Sequence, residues 1–294
     1  MPIKQQILTF ILLFPITCLS AFAESSTEKN TAALPERNKQ VNSEIEFLKN
    51  PYVIAQHRSN YVLPIAYDTN PSDFYDDHVE IKFQTSFRAP IWSNMFSNNG
   101  HLMFAYTNKS FWQAYNSDIS APFRETNHEP ELFFVYFTDY NLMGLHTRAV
   151  SFGFSHESNG QRGLQSRSWN RLYATAQFEQ PNHYYFVLKT WYRIPESEKD
   201  SPTDPEGDDN PNIERYLGNF ELSLFHQLKK HSFGLKLRNN LRADNKGSIQ
   251  ADYTYPIGRS FRGYLQLFSG YGESLIDYNH SKTRIGIGIS LGTG

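Results

Sequence analysis

Val79-Glu-Ile-Lys-Phe-Gln-Thr-Ser-Phe87 alternates without a break. Val79, Ile81, Phe83 and Phe87 fall on one side of an extended chain; Glu80, Lys82, Gln84 and Ser86 fall on the other. Side chains on a strand repeat every two residues, so the stretch reads as a strand with one apolar and one polar face. Similar segments recur at roughly 57–67, 100–110, 124–137, 145–156, 169–179, 183–193, 214–226, 232–240, 248–256, 261–272 and 283–291. Turn signals punctuate them: Asn98-Asn-Gly100, Asn159-Gly160, Pro181-Asn182, Asn245-Lys-Gly247 and Pro256-Ile-Gly258. The tally is about twelve strands, and an even number suits a single-chain bacterial barrel. The expected fold class is all-β, a transmembrane antiparallel β-barrel.

The bulk composition points the same way. The 294 residues suffice for one large barrel. Aromatic content is high, with 18 Tyr and 23 Phe, while mean hydropathy is polar. That combination fits strands alternating between lipid and water. A soluble β-sandwich would alternate as well. Against it stand Tyr106, Trp112, Trp169, Trp191, Tyr192 and Tyr271 near strand ends, where aromatic girdles are expected. A net charge of −2 gives no sign of nucleic acid as a partner.

The N-terminus carries an export signal. A short basic start, Met1-Pro-Ile-Lys4, precedes the apolar run Ile7 to Phe14 and the cleavage site Ala21-Phe22-Ala23. Residues 1–23 are therefore expected to be removed. Cys18, the single cysteine, lies in this segment, so the exported chain has no disulfide framework. No later stretch is apolar for long enough to form a membrane-spanning helix, which leaves a closed barrel as the way to cross. A polar segment is expected over 24–50 and the barrel over 51–294. Outer-membrane barrels commonly end in an aromatic residue; Ile285-Gly-Ile-Gly-Ile-Ser-Leu-Gly-Thr-Gly294 alternates correctly but has none. The acidic, proline-rich stretch 195–211 reads as a loop facing the cell exterior.

Chemistry concentrates in Val150-Ser-Phe-Gly-Phe-Ser-His-Glu-Ser158. Val150, Phe152 and Phe154 share the apolar face, and His156 and Ser158 are in phase with them. On the following strand Asn170 is in phase with Leu172, Ala174, Ala176 and Phe178. Parity thus puts three polar groups on the lipid side near one membrane edge. Exposing them to hydrocarbon is costly, and catalysis supplies a reason. A histidine can take the proton of a serine hydroxyl while a third group fixes the imidazole tautomer, a role an asparagine can fill. Taken alone, His-x-Ser at a strand end is common by chance, and a polar residue at interface depth is cheap. Arg124, Glu125, Asn127, Glu129 and Glu131 point to a charged network filling the lumen.

The stretches Gly153-Phe-Ser-His-Glu-Ser-Asn-Gly160 and Ser166-Arg-Ser-Trp-Asn-Arg-Leu-Tyr173 resemble the active-site region of the outer-membrane phospholipase A family. Tyr106-Thr-Asn-Lys-Ser-Phe-Trp-Gln113, Pro122-Phe-Arg-Glu-Thr-Asn127 and Ser269-Gly-Tyr-Gly-Glu-Ser-Leu-Ile-Asp-Tyr-Asn279 match as well. The resemblance runs from about residue 55 to the end. It implies a twelve-stranded barrel of the bacterial outer membrane that hydrolyses phospholipid acyl esters at the sn-1 and sn-2 positions. It also implies calcium and a homodimer as the active form. Carried over by motif, His156 is the general base, Ser158 the nucleophile and Asn170 the residue orienting the histidine. Ser120, Gln161, Ser166 and Asp209 stand at the calcium positions, the Gln161 contact running through its backbone carbonyl. Hydroxyls, carbonyls and a carboxylate are the hard oxygen ligands calcium takes.

The sequence departs from the family at three places. Glu157 replaces the usual Asp, Gln161 the usual Arg, and Asn108 a typical Gln near the family's dimer contact. The alternative reading is a non-enzymatic barrel, a porin or structural protein, which predicts conductance and no hydrolysis.

Overall fold

The alternating segments become strands of one closed sheet. The structure, a computed structural model, describes residues 54–71, 77–97, 99–142, 144–180 and 184–291. The expected leader over 1–23, the polar segment 24–50, the turn residues Asn98 and Pro181-Asn182, and the chain end beyond Leu291 lie outside the described residues. In chain order the elements are β1 (Ala55–Gln56), β2 (Asn60–Asp68), β3 (Val79–Trp92), β4 (His101–Trp112), β5 (Phe123–Leu142), β6 (Leu145–Ser158), β7 (Ser168–Gln180), β8 (Tyr184–Ile194), α1 (Ile213–Leu217), β9 (Phe220–Leu228), β10 (His231–Asn239), β11 (Gly247–Pro256), β12 (Phe261–Gly270) and β13 (Lys282–Leu291). Each strand from β2 to β13 pairs antiparallel with the next, and β13 returns to β2. Twelve strands thus close on themselves with no free edge, as a bilayer demands. β1 pairs with β3 beyond β2, so β1 and β2 are two pieces of one broken strand.

Prolines mark the irregularities. Pro64 lies where the pairing of β2 with both β3 and β13 shifts register, and Pro90 lies at the shift between β3 and β4. A proline has no N–H for the ladder, so bulges accommodate it.

Parity holds around the barrel. Ile65, Phe104, Leu132, Phe152, Leu172, Leu188, Leu267 and Ile287 are exposed outward. Many of their sequence neighbours point inward and are buried, with Glu131, Ser151, Arg171 and Gln266 the polar ones directly flanking this set. Glu80 receives both Nε and Nη2 of Arg124 at 3.0 Å, and Arg284 joins Glu80, Asp68 and Glu273. Lys82 donates to Glu273 at 2.8 Å. A second set links Arg58 to Glu129 and Glu131, and Arg171 to Glu129 and Glu157. The expected interior network therefore exists. Arg124, Glu129 and Glu131 lie in its ion pairs. Glu125 and Asn127 instead hold the backbone of the β12–β13 loop, accepting from Ile276 and Leu275. That loop folds into the lumen, burying Glu273, Ser274, Leu275, Asp277 and Tyr278.

Two expectations need correction. The strand read over 214–226 begins only at Phe220; α1 occupies Ile213–Leu217. Ile213 and Leu217 are four apart and both buried, a helical spacing that the strand alternation masked. Trp169 and Trp191 are not girdle residues. Both share the inward parity of Arg171 and Arg193 and are buried, edge to face with each other. Tyr192, by contrast, is exposed outward.

Candidate active site

Antiparallel pairing places the connections β2–β3, β4–β5, β6–β7, β8–β9, β10–β11 and β12–β13 at one mouth of the barrel. β6 ends at this mouth and β7 begins there. Their register sets His156 opposite Asn170 and Ser158 opposite Ser168. Phe152 and Phe154 are exposed on the same face, while Ser151, Gly153 and Ser155 are buried on the other. His156, Ser158 and Asn170 therefore continue the outer, apolar face and are half-buried.

His156 Nδ1 donates to Asn170 Oδ1 at 2.9 Å. This fixes the proton on Nδ1 and leaves the Nε2 lone pair free to act as a base. Ser158 lies two residues on, pointing to the same side. Among the described residues no hydrogen bond joins its hydroxyl to His156; in enzymes without substrate this contact is often long and tightens on binding. Asn170 Nδ2 donates to Glu196 Oε1 at 2.9 Å. Glu157, between base and serine, points inward as its parity requires. It accepts from Trp169 Nε1 at 2.9 Å and Arg171 Nη2 at 2.8 Å.

The β6–β7 loop is organised by Asn159, which is 4% exposed. Its Nδ2 donates to Gln165 O and Glu125, and its Oδ1 accepts from the N–H groups of Gln161 and Arg167. The long β8–β9 loop is pinned to β7 by Asn210, fully buried, whose Nδ2 donates to Ser168 O at 2.8 Å. That anchorage brings Asp209 onto Ser166 Oγ at 2.8 Å and Ser168 Oγ at 3.2 Å. Lys199, from the same loop, pairs with the other oxygen of Asp209 at 2.5 Å.

Of the four expected calcium ligands, Ser166 and Asp209 are thus brought together. Gln161 sits exposed in the same β6–β7 loop, and Ser120 is exposed in the β4–β5 loop in a left-handed conformation (φ 63°). No hydrogen bond joins Ser120 to the other three among the described residues. The donor chemistry fits a hard cation: one carboxylate, serine hydroxyls, a loop carbonyl, and the buried Asn210 Oδ1 left without a donor. The ammonium of Lys199 already occupies a cation's place on Asp209. Among the described residues no three His, Cys, Asp or Glu side chains group as a metal centre, and a hydroxyl- and carbonyl-rich site needs no such group.

A profile of phospholipase A1 matches residues 38–291. The chain belongs to the phospholipase A1 family. The phospholipase A1 of Salmonella typhimurium is 35% identical over 294 aligned residues, 95% of this chain and 96% of that protein. That of Klebsiella pneumoniae is 38% identical over 254 residues, 82% of this chain and 83% of that protein. Outer membrane phospholipase A from Escherichia coli superposes with a TM-score of 0.74 at 36% identity, covering 82% of this chain and 99% of that one. The Salmonella typhi outer membrane phospholipase, solved as a dimer with bound calcium, gives 0.75 at 36% identity, covering 85% and 97%. Family membership makes this chain an enzyme of the phospholipase class and an outer-membrane β-barrel.

The sequence had singled out His156, Ser158 and Asn170, and all three share one face. It missed Glu196, Lys199, Asn159 and Asn210. The two charged residues sit in a stretch whose acidity reads as solvation, and the two asparagines look like ordinary turn residues.

Proposed function

We propose that this barrel hydrolyses the sn-1 and sn-2 acyl esters of membrane phospholipids through Ser158, His156 and Asn170 on its lipid-facing surface. The observation that carries the reading is the 2.9 Å bond from His156 Nδ1 to Asn170 Oδ1 on the outer face, with Ser158 in phase beside it.

The chemistry follows from the tautomer. Ser158 Oγ attacks the ester carbonyl carbon as its proton passes to His156 Nε2. Asn170 Oδ1 holds the imidazolium that forms. The tetrahedral intermediate collapses, the bond to the glycerol oxygen breaks, and His156 gives that oxygen its proton. Water then attacks the acyl-serine with His156 as base again, releasing the fatty acid and restoring the Ser158 hydroxyl. Calcium, held by Ser120, the Gln161 carbonyl, Ser166 and Asp209, would supply positive charge against the oxyanion. Substrate reaches the site laterally from the bilayer, and two copies pair through their lipid faces as the active homodimer, sharing acyl-chain clefts. Residues 1–23 serve export and are removed, 24–50 form a polar lead-in, and 51–294 form the enzyme.

The test is acyl release from phospholipid–detergent micelles by the purified protein. Ser158→Ala is expected to lower the rate at least about a thousandfold. Its heat-modifiable migration, the sign of an intact barrel, stays unchanged. A calcium chelator is expected to stop the wild-type enzyme. Activity retained in Ser158→Ala would sink the serine assignment, and indifference to chelation would remove the metal.

A further inference from the structure

The outer-face relay does not end at Asn170. β7 is flanked by β6 on one side and β8 on the other, and Asn170 pairs across to Ile194, the last residue of β8. Glu196 lies two residues beyond Ile194, in phase with it and with the exposed Tyr192. Strand phase therefore carries the Glu196 side chain to the lipid side, next to Asn170. Its Oε1 accepts from Asn170 Nδ2 at 2.9 Å.

We infer that Glu196 is a positioning residue for the phospholipase reaction, acting through Asn170; the inference rests on the Ser158–His156–Asn170 reading. The argument is one of donors and acceptors. An asparagine amide has two chemically different ends that are nearly the same in shape, and a neutral side chain at a lipid-facing site can flip. With the amide reversed, Nδ2 would face His156 Nδ1. The ring would then accept there, its proton would move to Nε2, and the base would be lost. A carboxylate only accepts hydrogen bonds. Glu196 thus holds the nitrogen end of Asn170, which leaves Oδ1 facing His156, which in turn keeps the Nδ1–H tautomer. Its negative charge also lies on the far side of Asn170 from the imidazolium. Pro195, with its fixed φ, restricts the backbone just before Glu196. Glu196 touches neither substrate nor reacting atoms.

The test is a mutant cycle on the full chain with calcium, using phospholipid–detergent micelles. Glu196→Ala is expected to lower kcat roughly tenfold to a hundredfold with KM within about twofold of wild type. Glu196→Gln, whose carbonyl still accepts from Asn170, recovers most of the loss. In an Asn170→Ala background Glu196→Ala has no further effect, because the residue through which it acts is gone. Heat-modifiable migration confirms an intact barrel in every variant. Wild-type kcat in Glu196→Ala, or an equal additional loss on top of Asn170→Ala, overturns the inference while leaving the serine mechanism standing. A wild-type chain that releases no acyl groups, or a fully active Ser158→Ala, overturns both.

Discussion

Lys199 and Asp209 define the electrostatics at the loop edge of the site. The 2.5 Å pair, on a carboxylate that also accepts from Ser166 and Ser168, leaves Asp209 neutralised by a cation of the chain itself. A divalent ion taken up there must displace the ammonium or share the carboxylate with it, and like charges oppose each other. Lys199→Met is therefore expected to tighten calcium binding several-fold in isothermal titration, with no substrate present. Unchanged or weaker binding would remove Asp209 from the ligand set. Such a pair is invisible in the sequence because nine residues of loop separate its members. Ser158, His156 and Asn170 were legible for the opposite reason: they lie on strands, where phase alone fixes the side of the sheet. Glu196 obeys the same phase, but only once the end of β8 is known.

At the level of elements, the β12–β13 loop shows why a motif can be recognised without its role being visible. Ser269 to Asn279 reads as a polar turn, yet Glu273 and Asp277 fold into the lumen against charges from three strands. Burial alone would raise the Glu273 carboxyl. Arg284 and Lys82 outweigh it and hold the group well below the usual carboxylate range. A depressed carboxyl stabilises the fold above its unfolded titration range, and that stability is lost as pH falls through this range towards the folded value. Glu273→Gln is expected to weaken the barrel by roughly 3 kcal/mol at neutral pH, since it strands buried cations. It should also flatten the wild-type loss of stability on acidification. Urea unfolding in lipid at several pH values measures both. Equal stability of mutant and wild type at neutral pH would contradict the network. The strands themselves were readable to within a few residues, because each has one face in lipid and one in the lumen. α1 was not. Its apolar pair, Ile213 and Leu217, runs directly into the alternation of Leu222 and Leu224, and Gly218 makes the turn between them at φ 69°. A Cβ there would meet Asn239 O at 2.1 Å, so only glycine fits.

For the whole molecule, the two faces of the barrel divide the work. The inner face is crossed by ion pairs, and the β12–β13 segment folds into it from the loop mouth. The outer face carries the apolar belt and, at its edge, the proposed nucleophile. Reagents should therefore reach Ser158 from the bilayer. This distinguishes the molecule from a porin, whose function would lie in its lumen. The most direct test uses a long-chain alkyl sulfonyl fluoride dissolved in a bilayer containing the protein and calcium. Attack by an activated serine forms an Oγ–S bond and expels fluoride, and peptide mass spectrometry locates the adduct. The expected result is one adduct, on Ser158, absent from His156→Ala. Modification of a different serine, or complete loss of hydrolysis with Ser158 unmodified, would contradict the account.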